Sequence, residues 1–319
     1  MSTDARETDE EKIIMLHCAG CGVKEGNDDI KLMKCTACYL VRYCGVKCQR
    51  EHRSKHKKEC KKRAAELRDE LLFKQPECSY LGDCPICCLP LSIDQRYVGT
   101  MSCCAQTICN GCAYANQVKE RKGRLDPKCP FCRSAVPRSD EEARINHIKR
   151  VEANDPVAMT QMGGYYSEQG DKRKAFEYWS KAAALGFMDA HYNLSLMYDG
   201  DGIEKDEKKR IYHLEEAAIG GHPEARNNLA IMETKRGRMD SRSVEEVHGR
   251  LDRAFKHWVI AANMGHDISL EALKKFYQEG LFPKEEFAAA LRAHKAAIDA
   301  TKSPLREEGK AAQRAAQQR

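Results

Sequence analysis

Between residues 18 and 60 the chain reads Cys18-Ala-Gly-Cys21, Cys35-Thr-Ala-Cys38, Cys44-Gly-Val-Lys-Cys48 and His56-Lys-Lys-Glu-Cys60. These four short pairs carry eight soft ligands, enough to fill two tetrahedral zinc ions. Each pair can bring two sulfurs, or a sulfur and an imidazole, to one metal, and the loops between pairs supply the rest of a small fold. His52, His56 and Cys60 are spaced by four in a stretch expected to be helical, so all three share a face. On spacing alone either histidine could ligate beside Cys60.

With Tyr43-Cys44 and Cys48-Gln49 around the third pair, the stretch resembles the MYND zinc finger, a small protein-recognition module. The resemblance implies interleaved pairs: Cys18, Cys21, Cys44 and Cys48 on one zinc, and Cys35, Cys38, His56 and Cys60 on the other. It favours His56 over His52, which is left to pack or to support a ligand. The finger is placed at 16–62, behind an acidic N-terminus, 1–15, expected to be disordered. A charged helical linker, 63–82, follows it.

The cysteines then resume as Cys84-Pro85-Ile86-Cys87, Cys103-Cys104, Cys109-x2-Cys112 and Cys129-Pro130-Phe131-Cys132-Arg133. This segment, 83–136, resembles a RING domain, which holds two zincs in a cross-brace. The resemblance implies that Cys84, Cys87, Cys109 and Cys112 share one metal and that Cys129 and Cys132 belong to the other. A RING carries Cys-x-His in its second pair, whereas Gln106 stands at the histidine position here. Zinc in a structural site takes four ligands, so a vicinal Cys103-Cys104 chelate is expected. The alternative is a second lobe held by packing without metal. Cys78 and Cys88 are left as free thiols.

RING ubiquitin ligases dock a ubiquitin-conjugating enzyme and position its thioester for attack by a substrate lysine. In that family an apolar residue in the first pair and a proline in the last touch the conjugating enzyme, and a cation after the last cysteine touches ubiquitin. Ile86, Pro130 and Arg133 stand at those positions. The basic run Arg53 to Arg63 reads as the solvated face of the helix carrying His56 and Cys60. It lacks the aromatic interleaving of a single-strand binder, so nucleic acid is not an expected partner.

After a second linker, 137–154, a repeat fills 155–300. Lys181-Ala-Ala-Ala-Leu-Gly186, Glu216-Ala-Ala-Ile-Gly220 and Ile260-Ala-Ala-Asn-Met-Gly265 read as matching helix ends with a glycine at the C-cap. Ala190 to Tyr198 and Ala225 to Ile231 read as matching starts. Gly237-Arg-Met-Asp240 recurs as Gly249-Arg-Leu-Asp252, so 241–252 reads as an inserted surface loop or helix extension. The pattern resembles Sel-1-like repeats, relatives of tetratricopeptide repeats that stack into a protein-binding solenoid. Leu291 to Ile298 reads as a capping helix, and the polar tail 301–319 is expected to be frayed or disordered. Asp199-Gly-Asp201-Gly resembles the start of a calcium loop, but Glu204 and Arg210 occupy positions that need glycine and glutamate. It is read as an inter-helix turn. Tyr178, Trp179, Phe255 and Trp258 are expected in the core.

Composition fits this modular reading. Of 319 residues, 32% are charged and only 7% are aromatic, which favours small modules and repeats over one large enzyme core. The 17 cysteines fall mostly in metal-spaced pairs, and residues 1–11 lack an apolar signal sequence. Zinc thiolates in a reducing, intracellular compartment, cytoplasmic or nuclear, are expected. No stretch reaches membrane-span length. No catalytic triad, phosphate-binding glycine loop or HExxH motif is present, nor the long catalytic domain that accompanies the MYND finger in lysine methyltransferases. The expected fold is a pair of small zinc-stabilised α+β modules followed by an all-α solenoid, with four zincs. The order of modules resembles that of certain microalgal multidomain proteins. The expected function is zinc-dependent protein–protein interaction with RING-type ubiquitin ligase activity, in which the finger takes peptide ligands and the solenoid takes substrate. The alternatives are a non-enzymatic adaptor or a transcriptional co-regulator.

Overall fold

A computed structural model of the protein describes residues 17–26, 30–200, 202–239 and 243–318. The N-terminal segment 1–15, Asp201 of the inter-helix turn, and 241–242 of the expected insertion lie outside these residues. The chain divides into two compact units, Met1–Lys74 and Gln75–Arg319.

In the first unit β1 (Met33–Lys34) pairs antiparallel with β2 (Arg42–Tyr43), Met33 opposite Tyr43. A 27-residue helix, α1 (Val46–Leu72), follows. It contains neither glycine nor proline and is rich in Lys, Arg and Glu, which lose little freedom in a helix. Arg63 ties Glu66 (3.2 Å) and Glu70 (3.0 Å) along it. The helix therefore runs from the finger through the first half of the expected linker and stops short of Pro76. Leu32, Tyr43 and the sulfurs of Cys18, Cys35 and Cys38 form the small core.

The second unit opens with the other cysteine-rich module. β3 (Val98–Thr100) and β4 (Thr107–Cys109) form a hairpin with Gly99 opposite Ile108. It feeds α2 (Asn110–Gly123), where the Cys109 sulfur accepts from the Cys112 amide and so caps the helix. Leu91 and Ile108 are buried beside the sulfurs. The segment expected as a second linker contains α3 (Asp140–Glu152). Ser139 Oγ accepts from Glu142 N, and Glu142 reaches back to Arg138 N, a reciprocal cap.

Eight helices then run in antiparallel pairs: α4 (Pro156–Glu168) with α5 (Lys172–Ala184), α6 (Met188–Met197) with α7 (Glu207–Ile219), α8 (Pro223–Met239) with α9 (Val244–Asn263), and α10 (Asp267–Gln278) with α11 (Lys284–Ala300). Asp155, Asp171, Asp206 and Ser243 cap four of them through their side chains. Trp179 packs with Met159, Leu194 and Met197, and Trp258 with Leu273, Phe276 and Phe282, as expected of core aromatics. The first cluster needs Gly163: a Cβ there would lie 2.4 Å from Trp179 Nε1, which donates to Thr160 O.

Three helix ends repeat one geometry, with a left-handed glycine and an amide bonded back to the last turn. The glycines are Gly186, Gly221 and Gly265. The sequence suggests Gly220 for the second end, but its φ is −70° and its neighbour Gly221 takes the turn at +92°. Gly220 is small for a different reason: a Cβ there would meet Met188 Cγ at 2.4 Å. Of the two readings of the insertion, the described part, Val244 onward, extends α9. Glu233 on α8 accepts from Arg250 (2.8 Å) and Arg253 (2.9 Å), which clamps the extension in place.

The tail departs from its expected frayed state. Pro304–Gln317 is a helix, α12, capped by Ser303 and started by a proline at N1. It packs against α2, and the two backbones touch at Gly111 and Gly309. High-propensity Ala, Gln, Lys and Arg make the helix, and this close crossing fixes it.

Candidate zinc centres

Four of the cysteine pairs sit on a tight turn of one kind. The residue after the second cysteine is left-handed, and its amide donates to the carbonyl of the first. Gly22 (φ 78°), Tyr39 (58°), Cys88 (55°) and Arg133 (64°) bond to Cys18, Cys35, Cys84 and Cys129 at 2.8–3.0 Å. Ala105, after Cys104, is left-handed too and bonds to Met101 O. Only Gly22 adopts this conformation without steric cost; for the others it costs roughly 1–2 kcal/mol each. The turn aims both sulfurs of a pair at one point, so the strain serves the site.

The sulfurs converge in four quartets, whose ligand atoms lie within 4.8 Å of one another: Cys18, Cys21, Cys44 and Cys48; Cys35, Cys38, His56 and Cys60; Cys84, Cys87, Cys109 and Cys112; and Cys103, Cys104, Cys129 and Cys132. Individual S–S separations are 3.6 Å for Cys21–Cys44, 3.8 Å for Cys35–Cys60, Cys87–Cys109 and Cys104–Cys129, and 3.3 Å for Cys103–Cys132. A tetrahedron of ~2.3 Å zinc–sulfur bonds has edges of about 3.8 Å. All 17 cysteines are free thiols, so none of these approaches is a disulfide.

Electrostatics also favours a cation at each centre. Burial and the sulfurs of Cys38 and Cys35 push the Cys60 thiol up to about 12. The bond to Cys44 pushes Cys48 up to about 12 as well. Burial opposes ionisation of Cys18, but the amides of Cys21, Cys44 and Gly20 outweigh it and hold that thiol near 6. Sulfurs so crowded cannot all be thiolates unless a positive ion lies between them. The donor sets fit zinc: soft sulfur and imidazole, four-coordinate, with ligand pairs interleaved in both modules.

Of the two histidines on α1, His56 places Nε2 3.1 Å from Cys38 Sγ and is 5% exposed. His52 bonds through Nδ1 to Tyr43 OH (3.1 Å) and stacks on His56. It therefore orients the His56 ring instead of competing with it. Cys103 and Cys104 both point into the fourth quartet, which four sulfurs fill. Cys78 and Cys88 are exposed and belong to no quartet.

Ile86 is 40% exposed between its two paired cysteines. Pro130 is half-buried, and Phe131 and Arg133 are exposed on the loop of the last pair. On the turn between α6 and α7, Arg210 pairs with Asp199 at 2.5 Å, so a cation neutralises the carboxylate that a calcium loop would use. The sequence gives no indication of Arg306, a buried cation from α12 that donates to Cys87 Sγ. The Ser303-Pro304 start and the lone Gly309 in an alanine-rich tail are the signals that mark that helix.

Comparison with known proteins agrees with two of these regions. Residues 18–60 match the family model of the MYND finger, and residues 156–187, 189–222 and 251–266 match that of the Sel1 repeat. The chain thus carries a MYND finger and Sel1 repeats, both protein-interaction modules. Among solved structures, a Sel1 repeat protein from Oxalobacter formigenes is 20% identical, with 65% of this chain and 89% of that one covered, at a TM-score of 0.43. The protein c5321, a protective antigen of uropathogenic Escherichia coli strains with an SLR fold, is 17% identical, with 55% of this chain and 48% of that one covered, at a TM-score of 0.33. No helix among the described residues is long and apolar enough to cross a membrane.

Proposed function

We propose that this protein is a zinc-dependent recruiter of other proteins in which the Cys84–Cys132 module acts as a RING-type ubiquitin ligase. The sixteen quartet residues hold four zincs, the MYND finger takes a peptide ligand, and the Sel1 solenoid takes a substrate. The observation that carries this reading is Ile86. A metal turn with two largely hidden sulfurs holds a branched apolar side chain 40% in solvent. Full burial would stabilise that side chain by about 1.5–3 kcal/mol, and the fold forgoes the exposed share of it. Exposed apolar residues on a rigid turn suit a small docking interface, with Pro130 and Phe131 on the other metal loop as its second element.

Each zinc, with four protein ligands, has no open position for a water and holds loops in place. The chain's own residues dock and orient. Ile86 and Pro130 receive the conjugating enzyme. Arg133 steadies the thioester-linked ubiquitin while a substrate lysine Nζ attacks the carbonyl carbon. An amide bond forms, the carbon–sulfur bond breaks, the lysine proton departs, and the conjugating enzyme regains its thiol. Positioning alone accelerates such a step.

Discharge of ubiquitin from a panel of charged conjugating enzymes tests the proposal. Wild-type protein is expected to speed discharge from at least one of them. Ile86→Ala is expected to weaken docking by about ten-fold, the loss of one apolar anchor. Arg133→Ala should bind nearly as well but discharge more slowly. No acceleration with any conjugating enzyme would remove the ligase reading and leave an adaptor.

A further inference from the structure

The quartet Cys84, Cys87, Cys109 and Cys112 has a buried cation beside it. Arg306, 219 residues beyond Cys87, is 3% exposed. Its Nη2 donates to Cys87 Sγ (3.3 Å) and Leu89 O (3.0 Å), and its Nη1 to Pro90 O (2.6 Å) and Thr301 O (2.8 Å). One guanidinium thus grips the metal turn from Cys87 to Pro90 and ties it to Thr301 at the end of α11.

The helix that delivers it is held tightly. A Cβ on Gly111 would lie 2.8 Å from the Arg306 backbone, and one on Gly309 would lie 3.0 Å from Asn110 O. Lys310 Nζ sits 4.8 Å over the Tyr97 ring, and Gln313 donates to Arg96 O at 3.0 Å. A guanidinium this deep costs several kcal/mol unless negative charge faces it. Four thiolates around one zinc leave a net charge of roughly −2 at the site. Arg306 offsets half of that charge and bonds one of the sulfurs, which makes the sulfur a weaker base.

We propose that Arg306 is the positioning and charge-balancing residue of the Cys84–Cys87–Cys109–Cys112 centre, and that α12 is part of this zinc module. The C-terminal end of the solenoid then closes the module, and zinc retention at this one centre depends on the last helix of the chain.

The test follows zinc release from the full-length protein into a chromophoric chelator, with total zinc measured first. The variants are Arg306→Ala, Arg306→Lys, Gly309→Ala and, as a control on an exposed position of the same helix, Arg314→Ala. Arg306→Ala is expected to lose one zinc of four about ten-fold faster or more, as outer-sphere partners of metal ligands do. Arg306→Lys should fall between Arg306→Ala and wild type, because it keeps the charge without the fork. Gly309→Ala should speed the same zinc by displacing the helix, and Arg314→Ala should match wild type. In the cobalt-substituted protein, the thiolate charge-transfer band of one centre should shift in Arg306→Ala. If Arg306→Ala does not fold, Arg306→Lys and Gly309→Ala decide the matter. Release of all four zincs at the wild-type rate would overturn the proposal. So would equal acceleration of all four, which signals general unfolding.

Discussion

At the scale of single residues, the difference between His52 and His56 is one of reach. Both lie on the inner face of α1, one turn apart, and their rings stack with centroids 5.8 Å apart. Helical spacing alone leaves them equivalent. The tie is broken by Tyr43, whose hydroxyl holds His52 Nδ1 and keeps that ring out of the quartet. His56→Ala is expected to lower zinc content from four per chain to three, since one of four ligands is gone and structural zinc needs all of them. His52→Ala should keep four and release one of them faster. Elemental analysis of the two purified variants checks this, and equal loss from both would mean that they share the ligand role. Cysteine spacing made most of the ligand set legible, because paired sulfurs leave few other readings. Arg306 was not legible, because nothing in sequence tells a buried cation in a polar tail from a solvated one. Its burial arises from a contact with residues more than two hundred positions away.

At the scale of elements, helix existence was legible and helix packing was less so. The Ala-Ala pairs before each turn mark where helices approach closely, and the three helix ends follow them. Gly221 turns the chain, while Gly220 is kept small by Met188 on α6, the first helix of the same pair. The same logic gives Gly163 a defined cost. The sequence offers it only as one of two adjacent glycines within a helix, a pattern that usually weakens helices. Here the space is filled by the Trp179 indole, while Gly164 has none of its Cβ position obstructed. Gly163→Ala is expected to destabilise the solenoid by about 1–3 kcal/mol through overpacking. Gly164→Ala is expected to be neutral or stabilising, because Ala is the better helix former. Thermal melts of the two single variants should therefore move in opposite directions. A shared direction would mean that the contact with Trp179 does not govern the site.

At the scale of the whole molecule, what holds each part together differs in kind. In the first unit the small core is built around ligand sulfurs, and α1 buries little besides His56 and Leu72. The second cysteine-rich module is likewise organised around sulfurs, with Leu91 and Ile108 as its main apolar residues. The repeats are expected to support themselves. The two clusters around Trp179 and Trp258 consist of Met, Leu, Ala, Phe and Trp side chains and contain no cysteine. Stacked repeats draw stability from their neighbours in this way. Both tryptophans of the chain, Trp179 and Trp258, lie in these clusters, so tryptophan fluorescence reports on the solenoid alone. A strong chelator is expected to remove all four zincs while tryptophan emission stays at its buried, blue-shifted position. Hydrogen exchange should separate α12 from the other helices. It packs on α2 and is tied to a metal turn through Arg306, so its amides should lose protection together with residues 84–132. The amides of α4 to α11 should remain protected. A red shift of tryptophan emission on chelation would show that the repeats rely on the zinc modules. Retained protection in α12 would show that its packing on α2 survives without metal.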